Sequence, residues 1–212
     1  MKSLHNYILE KLVIFPSHVD ERLVINKDYK DGHVYTCRPK TFEELRKIIE
    51  DRYDKLGPGT KDIPIDFNDV DVSNIDSFYN NKNINLGIFG LFEDTKFKYI
   101  DISDWNVSKV KIVSRMFYGC IKLKSIGDLS DWNVLKVEDM SAMFYDCINL
   151  KSVGDLSNWN ISNVKNMSYL FNGCEQLKSI GNISNWNVLN VEDMFHMFNK
   201  SGITNIPKWY KG

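Results

Sequence analysis

Three cysteines stand at a spacing that raises the question of metal, redox or disulfide chemistry. Cys120, Cys147 and Cys174 lie 27 residues apart, and Ser201 takes the next place. The spacing is not the C-x-x-C of a zinc or redox site, and none of the four histidines lies near another. Stacked thiols about 5 Å apart could meet, but three leave one unpaired. Because free cysteine is a common buried hydrophobe, we expect buried thiols, with a metal site or a disulfide as the alternative.

Motifs of known enzyme classes are missing from the sequence. It contains no G-x-S-x-G, no H-E-x-x-H, no phosphate-binding loop and no calcium loop of the D-x-D-x-D-G type. His196 and Cys174 could come close across two repeating units, but such a pair needs an orienting acid. We therefore predict that the chain is not an enzyme and has no catalytic residue, metal or cofactor.

The cysteine spacing is one part of a wider repeat. The same 27-residue step relates Trp105, Trp132, Trp159 and Trp186, and also Phe117, Phe144, Phe171 and Phe198. A fixed period of 20–30 residues is typical of a solenoid, in which each unit contacts only its neighbours. A residue that recurs in every unit normally lies in the stacked core, because catalysis needs one constellation and not four copies.

Each unit has two halves with different patterns. Residues 97–107, FKYIDISDWNV, are typical of a strand, and the later units carry an added glycine there that suggests a bulge. In KVEDMSAMFYDC, residues 136–147, apolar side chains fall at i, i+3, i+7 and i+10 from Val137, which is one face of a helix. We therefore predict an α/β solenoid of the leucine-rich-repeat type, with a strand and a helix in each coil of about 27 residues.

An open solenoid end would expose apolar core, so terminal caps are expected. The domains that we predict are an N-terminal cap over 1–62 and a solenoid over 63–209, with a degenerate first coil at 65–96 and four tryptophan-containing coils at 97–209. Within the cap, we predict a helix near 3–12, strands near 22–26 and 33–37, and a helix at 41–56. Thr41 can cap the last helix with Glu44 as its partner, and Trp209 with Tyr210 could fold over the far end.

The segment LSNWNISNVKNMSYLFNGCEQLKSIG, residues 156–181, closely resembles the BspA-like leucine-rich-repeat family. The resemblance is to its W-N-x-S-x-V-x-x-M-x-x-M-F-x-x-C-x-x-L version, the mycoplasma-lipoprotein and surface-protein type, and covers residues 97–209. Such repeats are widespread in bacterial surface proteins and lipoproteins, and in mobile-element and viral proteins. The resemblance implies a leucine-rich-repeat fold and adhesion to host or cell-surface proteins in exported members.

Two sets of surface residues are candidates for binding a partner. The resemblance implies that partners dock on the concave strand face, which would place there Tyr99, Asp101, Ser103, Asp128, Ser130, Asp155 and Ser157. The alternative is that these acids and serines bond to nearby backbone. Comparison of the units adds positions that vary while the core repeats, namely Arg115, Tyr118, Tyr145, Tyr169 and His196. Tyrosine and arginine are favoured interface anchors, and drift on a solvated face is the alternative.

The charge and the N-terminal sequence limit which partners and which location are expected. The formal net charge is −1, so the basic footprint of a nucleic-acid binder is missing, and no polybasic run suits a membrane. Glu10 and Lys11 interrupt the first apolar stretch, which argues against a signal peptide. We therefore expect a cytoplasmic protein, or a surface or secreted one if a leader was removed.

We expect a non-catalytic protein–protein interaction module whose partner the sequence does not identify. The version that we favour is an intracellular protein encoded by a phage or mobile element, which binds and blocks a target. The alternatives are a bacterial surface adhesin and a structural component that self-associates through its solenoid ends.

Overall fold

The computed structural model of the 212-residue chain describes residue 35 and residues 37–80 and 89–211. The helix predicted near 3–12 and the strand near 22–26 lie outside the described residues. So does most of the strand predicted at 33–37, of which Cys37 forms a single parallel bridge with Val70.

The described residues contain one α-helix and four very short strands. These elements are α1 (Phe42–Leu56), β1 (Ile65–Asp66), β2 (Tyr79–Asn80), β3 (Phe89–Gly90) and β4 (Ile100–Asp101). β1 pairs with β4 in parallel, with Ile65 opposite Ile100. β2 pairs with β3 in antiparallel fashion, with Tyr79 opposite Gly90. Single-turn 3₁₀ helices cover Leu156–Asn158 and Ile183–Asn185.

Helix α1 confirms the helix predicted at 41–56. Its N-cap is Thr41, whose side chain accepts a hydrogen bond from the Glu44 N–H, while the Glu44 carboxylate accepts from the Lys40 N–H at 2.7 Å. Gly57, with φ 72°, ends the helix and donates its N–H to the carbonyl of Tyr53. The helix therefore begins and ends where its capping residues dictate.

The prediction of an α/β solenoid with a strand and a helix in each coil is wrong. Residues 141–146, in the middle of the segment predicted to be helical, form turns, and the strands reduce to two-residue pairs and isolated bridges. Ala142 and Asp146 have φ values of 51° and 54°, in the left-handed region. Since a left-handed residue interrupts a right-handed helix, no helix can run through this segment.

The hydrophobic period explains the error. Buried side chains recur at almost every third residue, at Val134, Val137, Met140, Met143, Cys147, Leu150, Val153, Leu156 and Trp159, with Phe144 inserted. The backbone follows the same step, because the N–H of Met143 bonds to the carbonyl of Met140 and the N–H of Cys147 to that of Phe144. A three-residue turn period resembles a helical one over short windows, so the spacing favoured a helix that does not form.

Neighbouring units are joined in a fixed register. Parallel bridges link Ile112 to Asp139, Asp139 to Asn166 and Asn166 to Asp193, each 27 residues apart. Side chains follow the same register: the Phe117, Phe144 and Phe171 rings stack with centroids 5.5 Å apart at each step. The core is therefore a set of columns that run from one unit to the next.

Tryptophans form a second column, in which each indole also makes a hydrogen bond. The Nε1–H of Trp132, Trp159 and Trp186 donates to a backbone carbonyl of the preceding unit at 2.8–3.2 Å. Trp209 continues the column, since it stacks on Trp186 at 6.3 Å and donates to the Ile183 carbonyl at 3.0 Å. Together with Tyr210, which packs edge-on against Phe198, it covers the core at the C-terminal end.

At the N-terminal end, α1 covers the core. Leu45 and Ile49 are fully buried against it. The Arg52 guanidinium is nearly buried and makes a bidentate pair with Asp69 at 2.6 and 2.8 Å. Such a pair satisfies the buried charge and fixes the helix against the chain that follows it.

Phe144→Ala should lower the free energy of unfolding by about 3–5 kcal/mol, because it removes a fully buried ring between two stacked neighbours. The adjacent Tyr145→Ala should cost about 1 kcal/mol or less, because that ring is half-exposed. Urea denaturation followed by circular dichroism measures both. Equal losses for the two variants would show that the inward and outward faces are misassigned.

Candidate functional site

The first candidate set, which we call the strand-side set after the strands predicted there, holds its acids in local turns. Asp128 Oδ1 accepts from the Ser130 N–H at 2.9 Å, and Asp155 Oδ1 accepts from the Ser157 N–H at 2.9 Å. Hydrogen bonding by Ser157 lowers the pKa of the Asp155 carboxyl. Asp101 Oδ1 accepts hydrogen bonds from both the N–H and the hydroxyl of Ser103. These carboxylates therefore stabilise the turn that precedes each tryptophan.

The same carboxylates lie against the glycine of the next unit. Gly154 has φ 87°, and a Cβ added there would come within 1.9 Å of Asp128 Oδ1. Gly127 and Gly181 face Asp101 and Asp155 in the same way. The glycine is thus needed for both its conformation and its lack of a side chain. Tyr99 lies apart from this arrangement, with the Lys124 ammonium 5.9 Å from its ring centroid.

The second candidate set forms one continuous surface, which we call the aromatic row. It consists of Arg115, Tyr118, Tyr145, Tyr169, Phe195 and His196. The Tyr118 and Tyr145 rings are stacked with centroids 4.7 Å apart and an angle of 6° between them. Tyr169 meets Tyr145 edge-on at 6.0 Å and Phe195 edge-on at 5.6 Å. The row therefore crosses three boundaries between successive units.

Arg115 closes the row at its N-terminal end. Its guanidinium carbon lies 4.1 Å from the centroid of the Tyr118 ring, which is a cation–π contact. The same guanidinium is paired with Glu93, which is buried. At the other end, His196 packs against Phe195, with ring centroids 3.7 Å apart, and Phe195 is 52% exposed.

The backbone conformation under the row belongs to the repeat and not to a special site. Arg115, Tyr169 and His196 have φ values of 54°, 58° and 52°, and Ala142 at the equivalent position has 51°. A left-handed residue other than glycine costs roughly 1–2 kcal/mol. Because alanine shares this conformation, the strain follows from the turn and does not by itself indicate a function.

The three repeated cysteines are buried, as predicted, and are free thiols. Each Sγ donates to a backbone carbonyl of the preceding segment: Cys120 to Phe92 at 2.9 Å, Cys147 to Phe117 at 3.1 Å and Cys174 to Phe144 at 3.0 Å. Burial raises the pKa of the Cys147 and Cys174 thiols. The Cys174 thiol is therefore bonded to a carbonyl, and His196 packs on Phe195. Among the described residues, no three side chains that could bind a metal ion lie close together.

Sequence reasoning missed Phe195, a member of the aromatic row, and Glu93, the buried partner of Arg115. Phe195 replaces a serine that occupies the equivalent position at Ser114, Ser141 and Ser168. That break in the repeat was a readable signal, because a large apolar residue at an otherwise polar position suggests a contact. Glu93 lies outside the regular units, so only the folded chain shows that it pairs with Arg115.

Comparison with known proteins identifies a family but no close relative. The family described as "Mycoplasma protein of unknown function, DUF285" matches residues 86–209, which are 124 of the 212 residues. No curated protein and no solved structure matches the chain. Among the described residues, no helix has the length and apolar character needed to cross a membrane.

In the native protein at neutral pH, a thiol reagent such as Ellman's should label no cysteine other than Cys37. Cys37 is half-buried, whereas the other three thiols are buried and bonded to carbonyls. In denaturant all four should react. Mass spectrometry of the labelled chain gives the site, and rapid native labelling of Cys147 would contradict the buried column.

Stability should fall as the pH rises above about 8.5, the ordinary pKa of a thiol. There the unfolded chain releases thiol protons that the folded chain retains, since burial raises the folded-state pKa of Cys147 and Cys174. The stabilising contribution of these thiols is thus present below the unfolded-state pKa. Above it, the free energy of unfolding falls by about 1.4 kcal/mol per pH unit for each thiol. Urea denaturation between about pH 8 and 9.5 measures the slope, which Cys147→Ala should reduce. An unchanged slope in that variant would contradict this.

Proposed function

The chain belongs to the family of Mycoplasma proteins described as DUF285, and we propose that it is a non-catalytic protein–protein interaction module that binds through the aromatic row. The observation that carries the proposal is the continuity of the row, in which aromatic side chains of successive units are in contact from Tyr118 to Phe195. The row is not a repeated core column, because its equivalent positions vary along the chain: Tyr118 and Tyr145 are followed by Asn172 and Asn199, and Tyr169 is equivalent to Arg115, Ala142 and His196.

The chemistry of the row suits a protein partner. Tyrosine offers a large contact area at a low cost in conformational entropy, and tyrosine and arginine are the residue types that dominate binding energies at protein interfaces. The rings already contact one another in the free chain, so binding would order few side chains. Since Glu93 neutralises the Arg115 guanidinium, we propose a partner surface that is mainly apolar and aromatic.

The strand-side set supports binding less well. Its acids accept hydrogen bonds from neighbouring serine N–H groups and lie against glycines of the next unit. Changing them would disturb the turns, so their presence is explained without a partner.

The finer identity of the module is also a proposal. The sequence motif supports a place among the BspA-like surface repeat proteins. A protein that blocks its target by covering it could use the aromatic row either inside a cell or at the cell surface. An intracellular blocker and an adhesin differ in their targets, which are a cytosolic protein or a host surface protein. A self-associating structural component would instead show a mass that rises with concentration in sedimentation experiments.

Capture experiments with variants test the proposal. The purified chain is immobilised and exposed in parallel to a mycoplasma lysate and to solubilised host-cell surface proteins, and bound proteins are quantified by mass spectrometry. A partner captured by the wild type should bind about 30-fold or more weakly to Tyr118→Ala/Tyr145→Ala, the loss expected for interface anchors. Thermal unfolding should change little, since both rings are half-exposed.

The matched control is Tyr99→Ala, which removes a half-exposed tyrosine on the strand side. Its capture of the partner should equal that of the wild type. If Tyr99→Ala loses the partner while the double variant keeps it, binding lies on the strand side and the aromatic row is not the site.

A further inference from the structure

Two columns of charged side chains run along the units and differ in how their charges are ordered. In the first, which we call the alternating column, acids and lysines follow each other from unit to unit: Asp76, Lys111, Glu138, Lys165 and Glu192. Each of the last four donates its backbone N–H to the carbonyl of the one before at 2.7–2.8 Å. The Lys165 ammonium lies 3.5 Å from the Glu138 carboxylate. This fold can therefore place opposite charges side by side.

The second column, which we call the lysine column, carries positive charges only. It takes one lysine from each of four successive units: Lys98, Lys124, Lys151 and Lys178. The N–H of Lys124 donates to the Lys98 carbonyl at 2.7 Å, and that of Lys151 to the Lys124 carbonyl at 3.2 Å. Lys124 is half-buried and the other three are exposed. Among the described residues, no carboxylate forms an ion pair with any of the four.

The like charges of the lysine column are not imposed by the repeat. Like charges at neighbouring positions of a sheet are destabilising, and the alternating column avoids that cost in the same units. The Lys178 ammonium donates to the Glu175 carbonyl at 2.9 Å, and the Lys124 ammonium lies 5.9 Å from the Tyr99 ring centroid. Neither contact removes the net charge. The column therefore presents four positive charges in line, which suits an anionic partner.

The spacing of the lysine column limits the shape of that partner. Equivalent side chains of successive units lie about 5 Å apart, as the rings show with 4.7 Å between Tyr118 and Tyr145 and 5.5 Å between Phe117 and Phe144. One turn of an α-helix rises about 5.4 Å, so a helix with one acid per turn would set a carboxylate opposite each lysine. Phosphates of a duplex strand follow each other about every 3.4 Å along the axis and do not keep this register.

Acids beside the lysine column limit the width of the partner. Asp101, Asp128 and Asp155 follow the first three lysines by three or four residues, in the turns that precede each tryptophan. A flat anionic surface such as a membrane would meet these carboxylates as well as the lysines. A helix is only about 10 Å across, so it can present its acids to one column and other side chains to the next.

We propose that the lysine column binds an acidic helix of a partner protein, with one aspartate or glutamate per turn paired to the lysines. Exposed ion pairs are individually weak, so their main effect is to speed association and to fix the register of the helix. The inference goes beyond the proposed function, because it adds a second surface that shares no residue with the aromatic row.

A second copy of the chain offers a poorer set of acids. Its aspartates at positions 128 and 155 accept hydrogen bonds from serine N–H groups and lie against glycines of the next unit. Asn182 replaces the acid in the fourth unit, so Lys178 would have no counterpart. A partner helix with four acids on one face meets neither obstacle.

Fluorescence anisotropy with a labelled peptide tests the proposal on the full chain at about 20 mM salt, where screening is weak. The probe is an alanine-rich helix, fixed by a side-chain cross-link, with glutamates at i, i+4, i+7 and i+11 so that they share one face. Lys124→Gln/Lys151→Gln should bind it about tenfold more weakly than the wild type, because two of the four pairs are lost. A peptide of the same composition, with its glutamates spread around the helix, should bind the wild type equally weakly.

The matched control is Lys111→Gln/Lys165→Gln, which removes the same two charges from the alternating column. Its affinity for the probe should change by less than about twofold. Its melting temperature should fall, because each lysine lies between two acids, whereas Lys124→Gln/Lys151→Gln should melt at or above the wild type. Equal losses of affinity in the two variants would indicate a net-charge effect and overturn the proposal. Absence of measurable binding, or a lower melting temperature for the lysine-column variant than for the control, would also overturn it.

Other occupants are tested in parallel with phosphatidylserine vesicles, a single-stranded oligonucleotide and the chain alone. If the vesicles or the oligonucleotide bind more tightly than the peptide, and Lys124→Gln/Lys151→Gln loses that binding, the occupant is not a helix and the proposal fails. Self-association that the same variant abolishes would identify a second copy as the occupant and have the same consequence.

The outcome is independent of the aromatic row, since Tyr118→Ala/Tyr145→Ala should keep its full affinity for the acidic peptide. Loss of a captured partner in that variant, with no peptide binding by the wild type, defeats this inference and leaves the proposed function standing. Peptide binding through the lysine column, with no effect of the tyrosine substitutions on capture, does the reverse.

Discussion

Each unit of this chain depends on the next one to satisfy its backbone. The three-residue turns inside a unit pair only some of the N–H groups, as at Met143 and Cys147, and the alternate groups point out of the unit. An unpaired polar group in a buried position costs about 1–3 kcal/mol, so these N–H groups need acceptors wherever another unit covers them. The bonds to the following unit, at 2.8–3.0 Å, supply those acceptors for residues 113–173 and stabilise their turns.

The side-chain columns follow from this constraint. Because the backbone bonds hold successive units in one register, equivalent side chains meet face to face, as Phe144 does with both of its neighbours. The indoles and thiols use the remaining carbonyls, since Trp159 donates to Leu129 and Cys147 to Phe117. Apolar packing and polar satisfaction thus depend on the same register, and the outward aromatic row is aligned by it as well.

Part of this arrangement was predictable from the residues alone. The 27-residue step placed the tryptophans, phenylalanines and cysteines in the core, and all of those in the first three tryptophan-containing units are buried. Helix α1 was predictable from its cap at Thr41 and its stop at Gly57. The three-residue turns of each unit were not predictable, because Val137, Met140, Phe144 and Cys147 suit a helical face and a series of such turns equally well over a short window.

The candidate surface was also predictable only in part from the residues. Comparison of the units identified Arg115, Tyr118, Tyr145, Tyr169 and His196 as positions that vary, and the folded chain shows that they lie in one row.

By itself, the sequence determined which side chains are buried and where the units begin, since burial of apolar area depends mainly on composition and period. Only the tertiary structure decided the backbone path and the pairing of Glu93 with Arg115. Those features depend on hydrogen bonds and contacts between residues far apart in the chain, and the local pattern of residue types does not specify their direction.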